Sequence, residues 1–265
     1  MIAIVISLIL LVGVLHIMLS NHNSLKTQHA LAGLQSRARL LNVVMDDAVA
    51  SAGYHVNPTA DKTKVFPYRS SIGNTPALTP GAAVASNKPT SGSTISYLRA
   101  RFQAAGSLHD CNGNKIGQFP ALKSVTTATK LTRAQSDFAL LFSLNKNKPT
   151  PPTLYCEPYA SNASIKNSKI EPLITNIRAF KTLFGLDTNG NGSVDKFVTH
   201  LKKAQQRQVV SIRVQALLQT KKNVLSAPIQ HKRVFHFMDG STLAVQNSRR
   251  AFLMFNRTVA IRNNL

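Results

Sequence analysis

The chain opens with MIAIVISLILLVGVLHIML, Met1 to Leu19. It continues through LAGLQSRARLLNVVMDDAVASAGY, Leu31 to Tyr54, and the reading of these two stretches decides the fold. The first holds no Asp, Glu, Lys or Arg. At 1.5 Å per residue it extends roughly 28 Å, enough to cross the hydrocarbon core of a bilayer. A cleaved secretory signal would want a charged segment ahead of the apolar run and small residues close behind it. Ala30, Leu31 and Ala32 offer such residues, but too far downstream.

No Pro or turn signal interrupts the chain between the two stretches. Leu31, Leu34, Ala38, Leu41, Met45, Ala48 and Ala52 step by three and four, which lays one apolar stripe along a helix. Gln35, Arg37, Arg39, Asp46 and Asp47 fall on the other faces, and Gly53 supplies a C-terminal stop. The pattern predicts one helix of about 50 residues, on the order of 75 Å long, with its first half in lipid and its second half on a folded head. A coiled coil is the alternative, but the stripe lasts only about three heptads, so packing on the chain's own sheet is expected. Lys26, Arg37 and Arg39 follow the span, and the positive-inside rule alone would keep the head in the cytoplasm. The opposite orientation is expected here, on the reading that the sequence begins partway into a longer segment.

The remainder reads as strands. Residues 57–94 are rich in Pro, Gly, Ser, Thr and Asn and carry no sustained period, which predicts a loop-rich entry to the head. Alternating or β-branched runs predict strands at Ile95–Phe102, Asp137–Ser143, Thr153–Cys156, Asn176–Phe184, Val194–Val198, Val209–Leu218, Arg233–Phe237 and Arg250–Ile261, with a Pro-rich turn at Lys146–Thr153. One helix followed by strands is an α+β arrangement: residues 1–53 form the helix and 54–265 a β-rich head.

The formal net charge of +22 comes from 32 Lys and Arg against only 10 Asp and Glu, so carboxylates are scarce while cations are ordinary in number. The cations are scattered, aromatics make up 6% and Trp is absent, which does not favour a nucleic-acid module. Nucleophile elbow, phosphate-binding Gly-rich loop, metalloprotease helix, C-x-x-C pair and helically paired carboxylates are all missing, so neither an enzyme nor a small-molecule substrate is expected. His231 and His236 have a poor spacing for two ligands on one face, and Asp46 and Asp47 are adjacent and diverge on a helix.

Two features carry chemistry. Cys111 and Cys156 are the two cysteines, each flanked by turn-forming residues. Two buried thiols would suit a cytosolic protein, whereas an anchored, exported head favours one disulfide. Asp187, Asn189, Asn191, Ser193 and Asp195, with Gly192 at the sixth position, match the front of an EF-hand-like loop in which alternating oxygens wrap a calcium ion. Val198 stands where the bidentate Glu belongs, so the loop reads either as a weak calcium site or as an Asn-Gly turn between strands.

Together these pieces resemble the PilW-type minor pilins of type IV pili. The resemblance runs through the Met1 helix, the Ala52-Gly53-Tyr54 turn and the spaced pair Cys111 and Cys156. It continues in the segment from Phe184 to Phe197, the strand Val209–Leu218 and the closing segment from Arg249 to Asn263. It implies a type IV pilin-like fold and a minor pilin that helps prime pilus assembly at the inner membrane. Its head would face the periplasm and finish at the fibre tip, with other minor and major pilins as partners through the helix and a tip adhesin as a further partner. A type II secretion pseudopilin and a tip subunit capturing DNA or another anionic surface are the competing readings. The family's prepilin peptidase site and Glu near the mature N-terminus are not in this sequence. Either the start codon is placed too late or this copy is processed unusually.

Overall fold

The computed structural model describes residues 2–55, 61–69, 77–86, 97–103, 137–144, 152–160 and 171–263. A single helix, α1 (Ile2–Ala50), runs unbroken for 49 residues, about 74 Å. Gly53 ends it with φ +77°, in the left-handed region that a helix stop uses. A Cβ there would lie 3.1 Å from Ala83 Cβ and 3.2 Å from the Asn263 carbonyl oxygen, so both conformation and space require glycine.

Behind α1 come a short helix α2 (Lys62–Val65) and eleven strands. These are β1 (Val84–Ala85), β2 (Leu98–Gln103), β3 (Asp137–Leu144), β4 (Thr153–Ala160), β5 (Glu171–Thr175), β6 (Ile177–Leu186), β7 (Lys196–Val198), β8 (Val209–Gln219), β9 (Arg233–His236), β10 (Thr242–Val245) and β11 (Phe252–Ala260). They form an antiparallel sheet in the order β1-β2-β3-β4-β5, a second in the order β11-β8-β6-β7, and a β9-β10 hairpin. The arrangement is α+β, one long helix on antiparallel sheets, with two sheets where the sequence suggests one.

The sheets meet at Asn176. Its φ of 63° is one an Asn tolerates better than most residues. Strand β5 ends on one side of it and β6 begins on the other. Ile177 N–H donates to the Pro152 carbonyl and Gln219 N–H to the Asn176 carbonyl, both at 3.0 Å, so one bent chain serves both sheets. The expected strand starting at Asn176 is therefore the downstream half of a longer run.

Alternation fixes the two faces of the second sheet. Ile212, Val214, Ala216 and Leu218 of β8, with Phe180 and Phe184 of β6, join the main core beneath α1. Ala179 and Leu217 point the other way and pack with Phe235, Phe237 and Val245 of the hairpin region. The first sheet contributes Leu98, Ala100, Phe102, Phe142, Leu154, Cys156 and Ile174 to the same main core, so helix and both sheets share one interior.

Within the segment expected to be loop-rich, 57–94, the described residues include α2, β1 and a bridge between Arg69 and Leu78. Fully buried Arg101 on β2 holds it. Its guanidinium donates through Nε (3.0 Å) and NH2 (2.6 Å) to the Ala82 carbonyl, through NH1 (2.8 Å) to that of Pro67, and through NH2 (3.1 Å) to that of Thr79. It also lies 4.8 Å from the centre of the Phe66 ring. No periodicity in residues 57–94 announces an organiser that sits outside them.

Candidate functional site

The candidate functional surface of this chain is α1, and its two halves differ in what they touch. At Ile4 and from Ile6 to Leu19 the large apolar side chains are open; Ile9 is 65% and Met18 69% exposed. The helix is long and apolar enough to cross a membrane, and from Ile6 onward its apolar stretch is not buried against the head. Gly13 has open space around it, which leaves room for a neighbouring helix to approach closely.

The second half is seated. Leu34, Leu41, Met45 and Ala48 are buried and Ala38 is partly buried against the same core, together with Val49 and Ala52. Leu31, placed on the stripe by its spacing, is instead 42% exposed, and Leu34 is the first residue of the stripe to be covered. Strands β8 and β11 lie beneath this half. Asp46 receives a two-point interaction from Arg257 of β11, Nε to Oδ1 at 2.9 Å and NH2 to Oδ2 at 2.6 Å. Those hydrogen bonds and the carboxylate charge raise the Arg257 pKa further. Asn42 Nδ2 donates to the same carboxylate at 3.3 Å.

Asn263 closes the helix. Its Nδ2 donates to the carbonyls of Ala50 (2.9 Å) and Ala52 (3.4 Å), which a helix C-terminus otherwise leaves unmet. Lys62 Nζ donates to the Asn263 carbonyl at 3.1 Å. Gly53 N–H donates to the Arg101 carbonyl and Gln103 N–H to that of Tyr54, so the chain leaving the helix extends the edge of β2. Spacing alone marks none of these partners, because each lies far along the chain from the residue it serves.

The Asp187–Asp195 loop connects β6 to β7. Its oxygens face the loop's own N–H groups. Asp187 Oδ1 accepts from Gly190 N at 2.7 Å and Oδ2 from Gly192 N at 2.7 Å. Asn189 Oδ1 accepts from Asn191 N, and Asn191 Oδ1 from Ser193 N. Asp195 Oδ2 accepts from the Thr188 hydroxyl (2.6 Å) and amide (2.7 Å), and these bonds hold its carboxyl below the usual carboxylate range. Asp187 is buried, while Asn189, Asn191, Ser193 and Asp195 are exposed, and Val198 is half-buried on β7. Among the described residues, no three His, Cys, Asp or Glu side chains gather as metal ligands. His231 and His236 are both exposed.

Cys156 is fully buried in β4, opposite Phe142 of β3, while Cys111 lies outside the described residues. A second polar anchor, absent from the sequence reading, is the ion pair of Lys181 on β6 with Asp239 at the β9-β10 turn, 2.7 Å apart, with side chains 6% and 10% exposed. Burial alone would raise the Asp239 pKa. Hydrogen bonds from Lys181 and from the Ser241 hydroxyl and amide, with the Lys181 charge, outweigh it and leave the carboxyl below its usual value.

A helix continuous from an exposed apolar half into a seat on β8 and β11 is thus joined to a strand-rich C-terminal half. Residues 141–263 match the PilW family model, Type IV Pilus-assembly protein W. The PilW match runs from within β3 past the end of β11 and takes in Asn176, the Asp187–Asp195 loop and Asn263; α1, α2, β1 and β2 lie outside it. No curated protein matches the chain. The type IV-like pilin TTHA1219 from Thermus thermophilus is similar in structure, with a TM-score of 0.45 and 10% identity over 88% of this chain and 97% of that one.

Proposed function

We propose that this chain is a minor pilin that helps prime assembly of a type IV pilus and takes a place at the fibre tip. Before assembly it is held in the inner membrane with its head in the periplasm. The observation that carries this reading is the two-sided use of α1, whose open apolar half is continuous with a half locked into a PilW-like head.

Lipid covers the Ile4–Leu19 surface while the chain is stored. The helix can leave the bilayer only where other apolar helices replace that lipid, because the exposed side chains would otherwise face water. The same surface therefore serves storage and filament packing, and the partners are other pilins. The role is structural, without catalysis of a small-molecule reaction.

The test is a pull-down of the full chain from detergent-solubilised membranes through a tag at its C-terminus, comparing wild type with Ile9→Lys. Recovery of pilus subunits with wild type, and their loss with a variant whose head still melts normally, is the expected result. Recovery of secretion-system components instead would assign the chain to a pseudopilus.

A further inference from the structure

We propose that the rim of the head beside the transmembrane segment is a docking surface for anionic phospholipid headgroups. The inference rests on the reading of Ile4–Leu19 as membrane-embedded.

The pairing registers set the height of each part of the head along α1. Arg257 meets Asp46 and Asn263 meets Ala50, so β11 advances away from the membrane as the helix does. Phe252 of β11 pairs with Gln219 of β8, which places residues 220–224 and 249–251 at the opposite, membrane-facing end. There Thr27 Oγ1 donates to the Val224 carbonyl at 3.3 Å and Arg37 NH1 to the Thr175 carbonyl at 3.0 Å. Thr27 lies eight residues beyond Leu19, roughly 12 Å along the axis. The headgroup layer extends about 5–8 Å beyond the hydrocarbon. The rim therefore stands one side-chain length above the phosphates.

What it presents is cationic. A groove of about 460 Å³ between α1 and the 221–224 loop is lined by Lys26, His29, Arg37, Lys221 and Lys222 among others, and none of its lining residues is acidic. A second groove of about 590 Å³ lies beyond the same loop and carries Arg249 and Arg250, again with no acidic lining residue. The loop between them is pinned, with Val224 N–H and Leu225 N–H both donating to the Arg249 carbonyl at 2.8 and 3.0 Å. Lys26, Lys221 and Lys222 are exposed. Their aliphatic stems can lie along the groove while the ammonium groups reach down to phosphate. A basic rim held at this height and tied by covalent chain to a membrane span fits an anionic bilayer surface. It would fix the head against tilting before the subunit is taken into a fibre.

The experiment uses the full chain reconstituted in nanodiscs of phosphatidylcholine alone or mixed with phosphatidylglycerol, with pulse acylation of lysines read by mass spectrometry. Each cation near an anionic surface gains on the order of fivefold in occupancy. Lys26, Lys221 and Lys222 should therefore be acylated severalfold more slowly in the mixed discs. High salt should erase the difference, while Lys196, at the far end on β7, shows none. The double variant Lys221→Gln, Lys222→Gln should lose much of the protection at Lys26. Equal acylation in both discs, with the chain inserted, overturns the inference and leaves the anchor reading standing. A chain that does not enter discs of either kind overturns both. Protection in phosphatidylcholine discs on adding inorganic phosphate, or on raising the number of chains per disc, assigns the groove to a free anion or to a second copy and overturns the lipid assignment.

Discussion

Replacing Leu41 by Ala tests whether α1 is seated on the head as described. Leu41 is fully buried in the main core, whereas Val43, two residues on, is 64% exposed. Truncating a buried Leu to Ala costs about 2–5 kcal/mol, the lost transfer energy plus the cavity left behind. A head of this size loses about 2–4 °C of melting temperature per kcal/mol, so Leu41→Ala should melt roughly 4–20 °C below wild type. Val43→Ala shortens a side chain that water already reaches and should shift the transition by about 0.5 kcal/mol or less. Leu41→Asp should exceed both, because a carboxylate would have to be buried without a partner. Differential scanning calorimetry of the full chain in one detergent compares the three variants under a common scan rate. Equal shifts for Leu41→Ala and Val43→Ala would refute the seating, and a helix rotated about its axis would invert their order.

If Cys111 and Cys156 form a disulfide, denatured, unreduced protein should resist thiol alkylation, and reduction should cost about 4 kcal/mol in the chain-entropy model for a loop of about 45 residues; modification of both cysteines without reductant refutes the bond. Because the folded Asp239 carboxyl titrates below its unfolded value, its contribution is present above about pH 4 and is lost as pH falls through the folded pKa. The melting-temperature gap between wild type and Asp239→Asn should therefore be open at neutral pH and close in acid, and a gap independent of pH would remove Asp239 as its source. Calcium titrated into the full chain by calorimetry should bind no more tightly than about 0.1–1 mM, since the loop supplies two carboxylates and no bidentate Glu. Micromolar binding abolished by Asp187→Ala would show that the loop opens its own hydrogen bonds to take the ion.

Local signals made most of the elements readable. The apolar run, the three-and-four stepping and Gly53 each act within a turn or two, and α1 follows them. All eight strand runs read from the sequence fall on strands, among them β8, whose inward Ile212, Val214, Ala216 and Leu218 alternate with Ser211, Arg213 and Gln215. Strand β10 was legible in principle, because Asp239-Gly240 is a hairpin dipeptide and Gly240 takes φ +79°. Strand β5 was hidden by Asn176, which reads as the start of a strand and acts as its bend. The Arg101 carbonyl cage, the Asn263 helix cap and the Lys181–Asp239 pair were not legible, because each joins residues that no local period relates. The site divides the same way: the stripe from Leu34 to Ala48 could be read from spacing, while the cationic rim exists only once Lys26 and Lys221 are brought to one end of the head.

That α1 is capped by Asn263 has a consequence for the order in which the chain can mature. The end of α1 is completed by a residue of the closing segment, across a sequence separation of 213. At about 5–20 residues per second, the stripe on α1 waits roughly 10–40 s for β11 to be synthesised. During that interval Leu34, Leu41 and Met45 lack part of the surface that covers them, since β11 lies beneath this half of the helix beside β8, and contacts of such long range are slow to form even once both partners exist. The newborn subunit is therefore most prone to mispairing before β11 and Asn263 emerge. Truncations that remove only the closing turn should turn a slow maturation into a persistent one.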